Sequence, residues 1–343
     1  MRIVLYLIAY IILLTSSSCN VHQWPEASKY AKLHLRLNYE TEITEWKYLY
    51  NDDDIKELGL GKTYDNCQQH GTIQYIIRAY PLSGKQRAEE DFTQEFVFTK
   101  DIDNGYNHNF TLDIPPGEYN IMVWSDLVDT STNTNFYNAR KFSEITLKGT
   151  HVGNTNYRDA FRGTCNISLT TDYTEQSPDT LNITMQRPMA KFEFVTNDVA
   201  EFIKKERYRY GPNGVSNGNN IKIEDYKVVF YYVGFMPYAY SMFTDKPVDS
   251  ATGIMFETKL KGLDKSKASM GFDYVFVNGM VSTVTIQIGI YDKKGNQRSL
   301  TNPVKVSLMR SHHTTLTGNF LMQNASGGVD LNPNYDGDLN LVF

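Results

Sequence analysis

This sequence predicts an all-β protein of two tandem β-sandwiches, on three observations. Apolar residues recur with period two far more often than with period 3.6. The chain is rich in residues that suit a pleated surface, with 24 Tyr, 18 Phe and frequent Thr. Without its first 18 residues the 343-residue chain keeps 325, more than one core usually serves.

Residues 1–18 read as a lipoprotein signal peptide. Arg2 supplies the charge, residues 3–14 the apolar core, and Thr15, Ser16, Ser17 and Ser18 a small-residue run before Cys19. Twelve apolar residues at about 1.5 Å rise make roughly 18 Å of helix, short of a ~30 Å hydrocarbon core. Cysteine is the one side chain whose thiol takes a thioether-linked diacylglycerol, so Cys19 is the expected lipidation site. Ser16 stands where such signals usually carry leucine. Residues 19–31 form the lipidated tether, reaching about 20 Å on average if flexible.

The first sandwich is expected over residues 32–187. Leu33, Leu35, Leu37 and Tyr39 alternate inward on its first strand. Residues 51–66 are polar and contain glycine, which predicts a long loop holding Asp52, Asp53 and Asp54. Strands follow at 73–80, 92–99 and 110–114. Pro115, Pro116 and Gly117 end one strand and make a tight turn, after which Tyr119, Ile121 and Val123 share one face and Trp124 takes the other. Residues 125–166 are an Asn- and Thr-rich excursion with one clear strand at 142–147; a loop this long is either functional or supported by a partner. Strands at 166–169 and 180–186 close the unit.

Arg187-Pro188 interrupts the pattern, and alternation restarts at Met189, so the second sandwich is expected over residues 188–343. Val199, Phe202 and Ile203 recur at helical spacing behind Asn197 or Asp198 as N-cap, predicting one short helix. Residues 211–220 have almost nothing to bury. A central strand is expected at 226–235, others at 272–277 and 314–322, and a hairpin joins 283–290 to 304–308. The tail ends in a short alternating segment at 339–343. No period of 20–50 residues recurs, which disfavours a solenoid or propeller.

The mature chain carries 33 basic against 39 acidic residues, a net −6 with no clustered basic surface for nucleic acid. Cys67 and Cys165 remain after Cys19. In an exported protein they can form one disulfide across the 98 residues from 67 to 165, a bridge of about 4 kcal/mol, and the local sequence leaves pairing open. There is no G-x-S-x-G, H-E-x-x-H or P-loop, so no enzyme activity and no cofactor are expected. His312 and His313 are adjacent on a strand, point to opposite faces and do not share a metal. Residues 332–338 begin like a calcium loop, but Phe343 stands where its bidentate carboxylate belongs. Trp124, beside the long excursion, is the best candidate for stacking on a sugar ring, with core packing as its alternative.

A lipoprotein signal, a first unit containing Leu112-Asp113-Ile114-Pro115-Pro116-Gly117-Glu118-Tyr119, and a second beginning Arg187-Pro188-Met189-Ala190-Lys191-Phe192 together resemble the fimbrillin-like proteins of Bacteroidales. The chain is most similar to their lipid-bearing fimbrial anchor subunits. The resemblance implies transthyretin-like Greek-key sandwiches and a non-enzymatic lipoprotein on the surface of the outer membrane. Its partners would be fimbrial subunits, held by β-strand addition, with residues 33–39 or 339–343 as the strand involved. The alternative is a surface glycan-binding lipoprotein using Trp124.

Overall fold

The computed structural model describes residues 29–323 apart from 52–53, 69, 83–87, 104, 171–178 and 210–220. The signal, Cys19 and the segments at 211–220, 332–338 and 339–343 lie outside the described residues.

Alternation builds the first strand as expected: Leu33, Leu35 and Leu37 of β1 (Ala31–Tyr39) are buried, and Arg36 and Asn38 face outward. β2 (Glu42–Asn51) and β3 (Asp54–Asp65) form a hairpin, followed by β4 (Thr72–Pro81), β5 (Gln94–Asp101), β6 (Asn109–Ile114) and β7 (Gly117–Asp129). Gly117 adopts φ +154° at the turn between β6 and β7, where its missing side chain leaves room for the Tyr119 ring. Short strands β8 (Thr134–Asn135), β9 (Tyr137–Asn138) and β10 (Ile145–Leu147) lead to β11 (Ala160–Leu169) and β12 (Asp179–Met185). The second half runs through β13 (Met189–Thr196), helix α1 (Val199–Arg209), β14 (Lys227–Tyr232), β15 (Met236–Ser241), β16 (Lys246–Ala251), β17 (Met255–Lys259) and β18 (Lys261–Gly262). It ends with β19 (Ala268–Phe276), β20 (Val281–Tyr291), β21 (Gln297–Leu300), β22 (Val304–Met309) and β23 (His312–Gly318).

The fold class is the expected one, all-β sandwiches with, among the described residues, one short α-helix in the second half. β12-β1-β6 faces β11-β7-β4-β5, and their inner faces share one core that includes Leu35, Ile77, Leu112, Ile121 and Ile183. In the second sandwich β13, β19 and β23 face β14, β17, β20 and β22 across Phe192, Phe194, Phe230 and Ile286. The two sandwiches repeat the same five pairings in the same chain order. β1 is antiparallel to β6 and parallel to β12, as β13 is to β19 and β23. β4 lies between β5 and β7, as β14 lies between β17 and β20. β11 closes on β7 as β22 closes on β20. The repeat is invisible to a residue-by-residue comparison because pairing needs only that apolar faces match.

Four features depart from expectation. Residues 51–66 are not a loop: β3 is a strand, polar because both of its faces are exposed at the rim of a sheet. The β2–β3 hairpin also crosses the division expected at 187/188. β2 runs parallel to β23 through seven consecutive pairs, Thr44↔His312 to Tyr50↔Gly318, and buries Ile43, Tyr48 and Tyr50. The central strand expected at 226–235 stops at Tyr232, and Phe235 is 74% exposed in the turn beyond it. The strand expected at 314–322 is β23, starting earlier and ending at Gly318. Before α1, the Asp198 carbonyl accepts from Phe202, while its carboxylate takes the N–H groups of Leu321 and Met322 (3.1 and 2.9 Å). That residue therefore ties the segment after β23 to the start of the helix.

Candidate functional site

The excursion after β7 has its partner within the same chain. β9 and β10 join β15 and β16 in a four-stranded sheet drawn from both halves. Trp124 is fully buried there, edge-on to Tyr137 (5.5 Å between centroids) and tilted against Tyr240 (6.3 Å). Tyr240 in turn stacks on Phe276. Gly153 lies so close to Phe256 that an added Cβ would sit 2.4 Å from the ring, and the Asn154 N–H bonds the Phe272 carbonyl at 2.8 Å. The tryptophan is therefore core, and a sugar has no face of it to stack on; this corrects its assignment as a glycan platform.

Buried charges cross the same seam. Arg158 pairs with Asp273 of β19, whose other oxygen receives Tyr232 OH (2.6 Å) and lies 2.6 Å from His151 Nε2. Burial alone would raise the Asp273 pKa, but Arg158 and His151 hold it below the usual carboxylate range. Arg187 donates from Nε to both oxygens of Asp159 (2.9 Å) and from Nη1 to the carbonyls of Glu40 and Glu42, fixing the crossing from β1 to β2. Asp245, at φ +56° after β15, takes Arg162 from the first half (2.7 Å) and Arg310 from the second (2.9 Å). Such pairs add specificity of arrangement more than net stability, and removing one partner is costly. The two sandwiches are thus bound by shared strands, a shared aromatic core, the desolvated Arg158–Asp273 pair and the half-exposed pairs on Asp245.

One carboxylate in the seam lacks this support. Asp126 is 1% exposed, and neither oxygen makes a full hydrogen bond within the described residues. It faces Gln74 across the β4–β7 pair, with Lys148, the Trp124 indole and Asn135 near enough to matter. Desolvation dominates and pushes its pKa up to about 7.

The sheet rims are the other candidate contact surfaces. β3 is long and exposed, with Leu58 and Leu60 at 55% and 67%, but it is guarded by two register shifts against β2, by Gly59 at φ +93°, and by Lys56, Glu57 and Lys62. In the first sandwich, the β5 and β6 side carries Glu95, Lys100, Asp101 and Asp113. On the other side, residues 163–169 of β11 and 180–185 of β12 include no charged side chain. β1 is not a rim strand, since β12 and β6 occupy both of its edges.

The remaining sequence-derived candidates do not converge. Cys67 and Cys165 are free thiols, both packed at the margin of the first core, and burial pushes the Cys67 thiol up to about 11. His313 is buried with Nδ1 2.5 Å from Tyr64 OH and Nε2 3.4 Å from Glu193, while His312 bonds the Arg310 carbonyl, as expected for opposite faces. Asp54 opens β3; Asp52 and Asp53 lie outside the described residues. Among the described residues no three His, Cys, Asp or Glu side chains are grouped to hold a metal ion, and no helix is long and apolar enough to cross a membrane. The seam pairs and Asp126 were missed from sequence because no local pattern marks burial or partners that folding brings together from 28 residues apart (Arg187 and Asp159) to 115 (Arg158 and Asp273).

The chain is similar in fold comparison to the fimbrial anchor protein Mfa2 from Porphyromonas gingivalis (10% identity, 79% of this chain and 82% of that one, TM-score 0.37). It is also similar to the tip fimbrial protein Mfa3 of the same organism (10%, 80% and 81%, 0.34) and to a candidate cell adhesion protein from Bacteroides eggerthii (11%, 88% and 90%, 0.40). Identities near 10% and scores below 0.5 assign no role to any residue here. No curated protein sequence matches the chain. Residues 28–342 match the family of unknown function DUF6562, and the chain belongs to that family.

Proposed function

We propose that this member of DUF6562 is a non-enzymatic, lipid-anchored subunit of a fimbria or adhesive fibre at the outer membrane, acting as anchor or assembly subunit and contacting partner subunits by β-strand addition. The observation that carries the reading is the seam. Two sandwiches bound by a shared four-stranded sheet, by β2 crossing from one to the other, and by the Arg158–Asp273 pair make a unit suited to transmitting load. The sequence before β1 supplies the attachment. Cys19 is followed by a short tether, and the three acyl chains of a mature bacterial lipoprotein add about 0.8 kcal/mol per buried CH₂, far beyond the marginal hold of one chain. The resemblance to fimbrial anchor subunits stated from sequence supports the same reading.

The test is Cys19→Ala in the native host. The expected result is release of the protein, with any fibre it holds, into the medium or periplasm. Retention of both in the membrane fraction removes Cys19 as the anchor, and failure of the wild-type protein to recover other subunits on pull-down removes the assembly role.

A further inference from the structure

The repeated topology allows one sandwich to be read against the other. In the second sandwich the outer edge of β23 holds a complete extra strand, β2, parallel to it over seven residues. The equivalent strand of the first sandwich is β12, which is parallel to β1 as β23 is to β13 and keeps unbroken register with it from Asp179 to Met185. Among the described residues its outer edge is paired by a single bridge, in which Arg162 and Gln186 exchange both N–H···O bonds at 2.9 Å, and beside it Gly163 lies so near that an added Cβ would sit 2.9 Å from the Thr184 carbonyl oxygen. From that pin β11 and β12 carry no further backbone pairing. Backbone groups of alternate residues point the same way, so Thr184, Asn182 and Thr180 share the outward direction of Gln186; Gly163 covers Thr184, which leaves Asn182 and Thr180. Their side chains are exposed and uncharged. Cys165 and Ile167 on β11 lie half-buried at the margin of the first core. Neither lysine, proline nor a bulge protects this rim, unlike β3.

We propose that the outer edge of β12, at residues 180–182, is a docking site for an extended strand of a partner subunit, running parallel to β12 and placing apolar side chains over Cys165 and Ile167. The occupant has the character of β2, whose Ile43, Tyr48 and Tyr50 are buried at the equivalent edge. The inference rests on strand addition as the mode of assembly and locates it on a rim rather than in the place of β1. Backbone bonds supply affinity and the apolar side chains set register.

A synthetic peptide of β2, Glu42–Asn51, added to the intact mature protein is the direct probe, with alkylation of Cys165 read by mass spectrometry and Cys67 as internal control. Saturating peptide is expected to slow alkylation at Cys165 by about tenfold and to leave Cys67 unchanged. Asn182→Pro removes an outward N–H, and Asn182→Lys adds a charge on the exposed face while keeping the backbone; both should abolish the protection. Absence of protection in the wild type, or equal protection in Asn182→Lys, overturns the proposal. In cells, Asn182→Lys should remain membrane-held and lose its partner subunits. Partner recovery unchanged in that variant refutes this edge while leaving the anchor role intact, whereas recovery of no partner even by the wild type refutes the assembly role itself.

Discussion

Arg158 and Asp273 come from opposite sandwiches and meet as an ion pair that water does not reach, with side-chain exposures of 2% and 0%. Asp273→Asn leaves Arg158 charged and uncompensated in the seam, so a loss of about 3–5 kcal/mol is expected in urea unfolding. A loss below about 1 kcal/mol would mean that the pair is solvated in solution. The lowered pKa of Asp273 gives a sign as well. Its contribution is present above the unfolded carboxylate pKa near 3.9 and is lost as pH falls further, toward the folded value.

Asp126 has the opposite sign. Its pKa rises from 3.8 to about 7, so between those values the folded chain holds a proton that the unfolded chain has released. Stability should therefore fall as pH rises from about 4 to 7 and level off above. Asp126→Asn keeps the shape without the charge, and its melting temperature should show less of this decline and exceed that of the wild type at pH 8. Identical pH profiles would place the Asp126 carboxylate in contact with water.

Trp124 fills the seam against Tyr137 and Tyr240. Trp124→Ala should cost about 3–5 kcal/mol through the cavity it opens. Binding of any oligosaccharide, compared at a temperature where both proteins remain folded, should be unaffected. A selective loss of sugar binding with stability intact would restore the glycan platform.

Gly153 tests the closeness of the seam. An added methyl would meet Phe256 at 2.4–2.6 Å, and Gly153→Ala is expected to destabilise by about 1–3 kcal/mol, measured by thermal melting. Gly149, with nothing within 4 Å of an added Cβ, is a control for crowding only, since its φ of +62° adds backbone strain of its own.

Much of the fold was legible in the order of residues. Leu33, Leu35 and Leu37, then Tyr119, Ile121 and Val123, then Val284, Ile286, Ile288 and Ile290 announced buried faces by period two, and each is buried. The Pro-Pro-Gly turn and the single helix were equally local. The candidate contact surfaces were less legible. The polar β3 resembles a loop because a rim strand exposed on both faces needs no apolar alternation. Trp124 beside an Asn-rich excursion looks exposed until the excursion folds over it.

By itself the sequence determined what short-range chemistry dictates: which side of the alternating strands is apolar, where the chain turns, and a class of two sandwiches. Only the tertiary structure decided that β2 leaves the first sandwich for the edge of β23, that residues 134–158 close the seam, and that among the described residues the outer edge of β12 is paired by one bridge. The physical reason is range. Side-chain periodicity is set by neighbours two residues apart, whereas the choice among compatible sheet edges depends on complementary faces brought together from up to 268 residues away, as at Thr44 and His312.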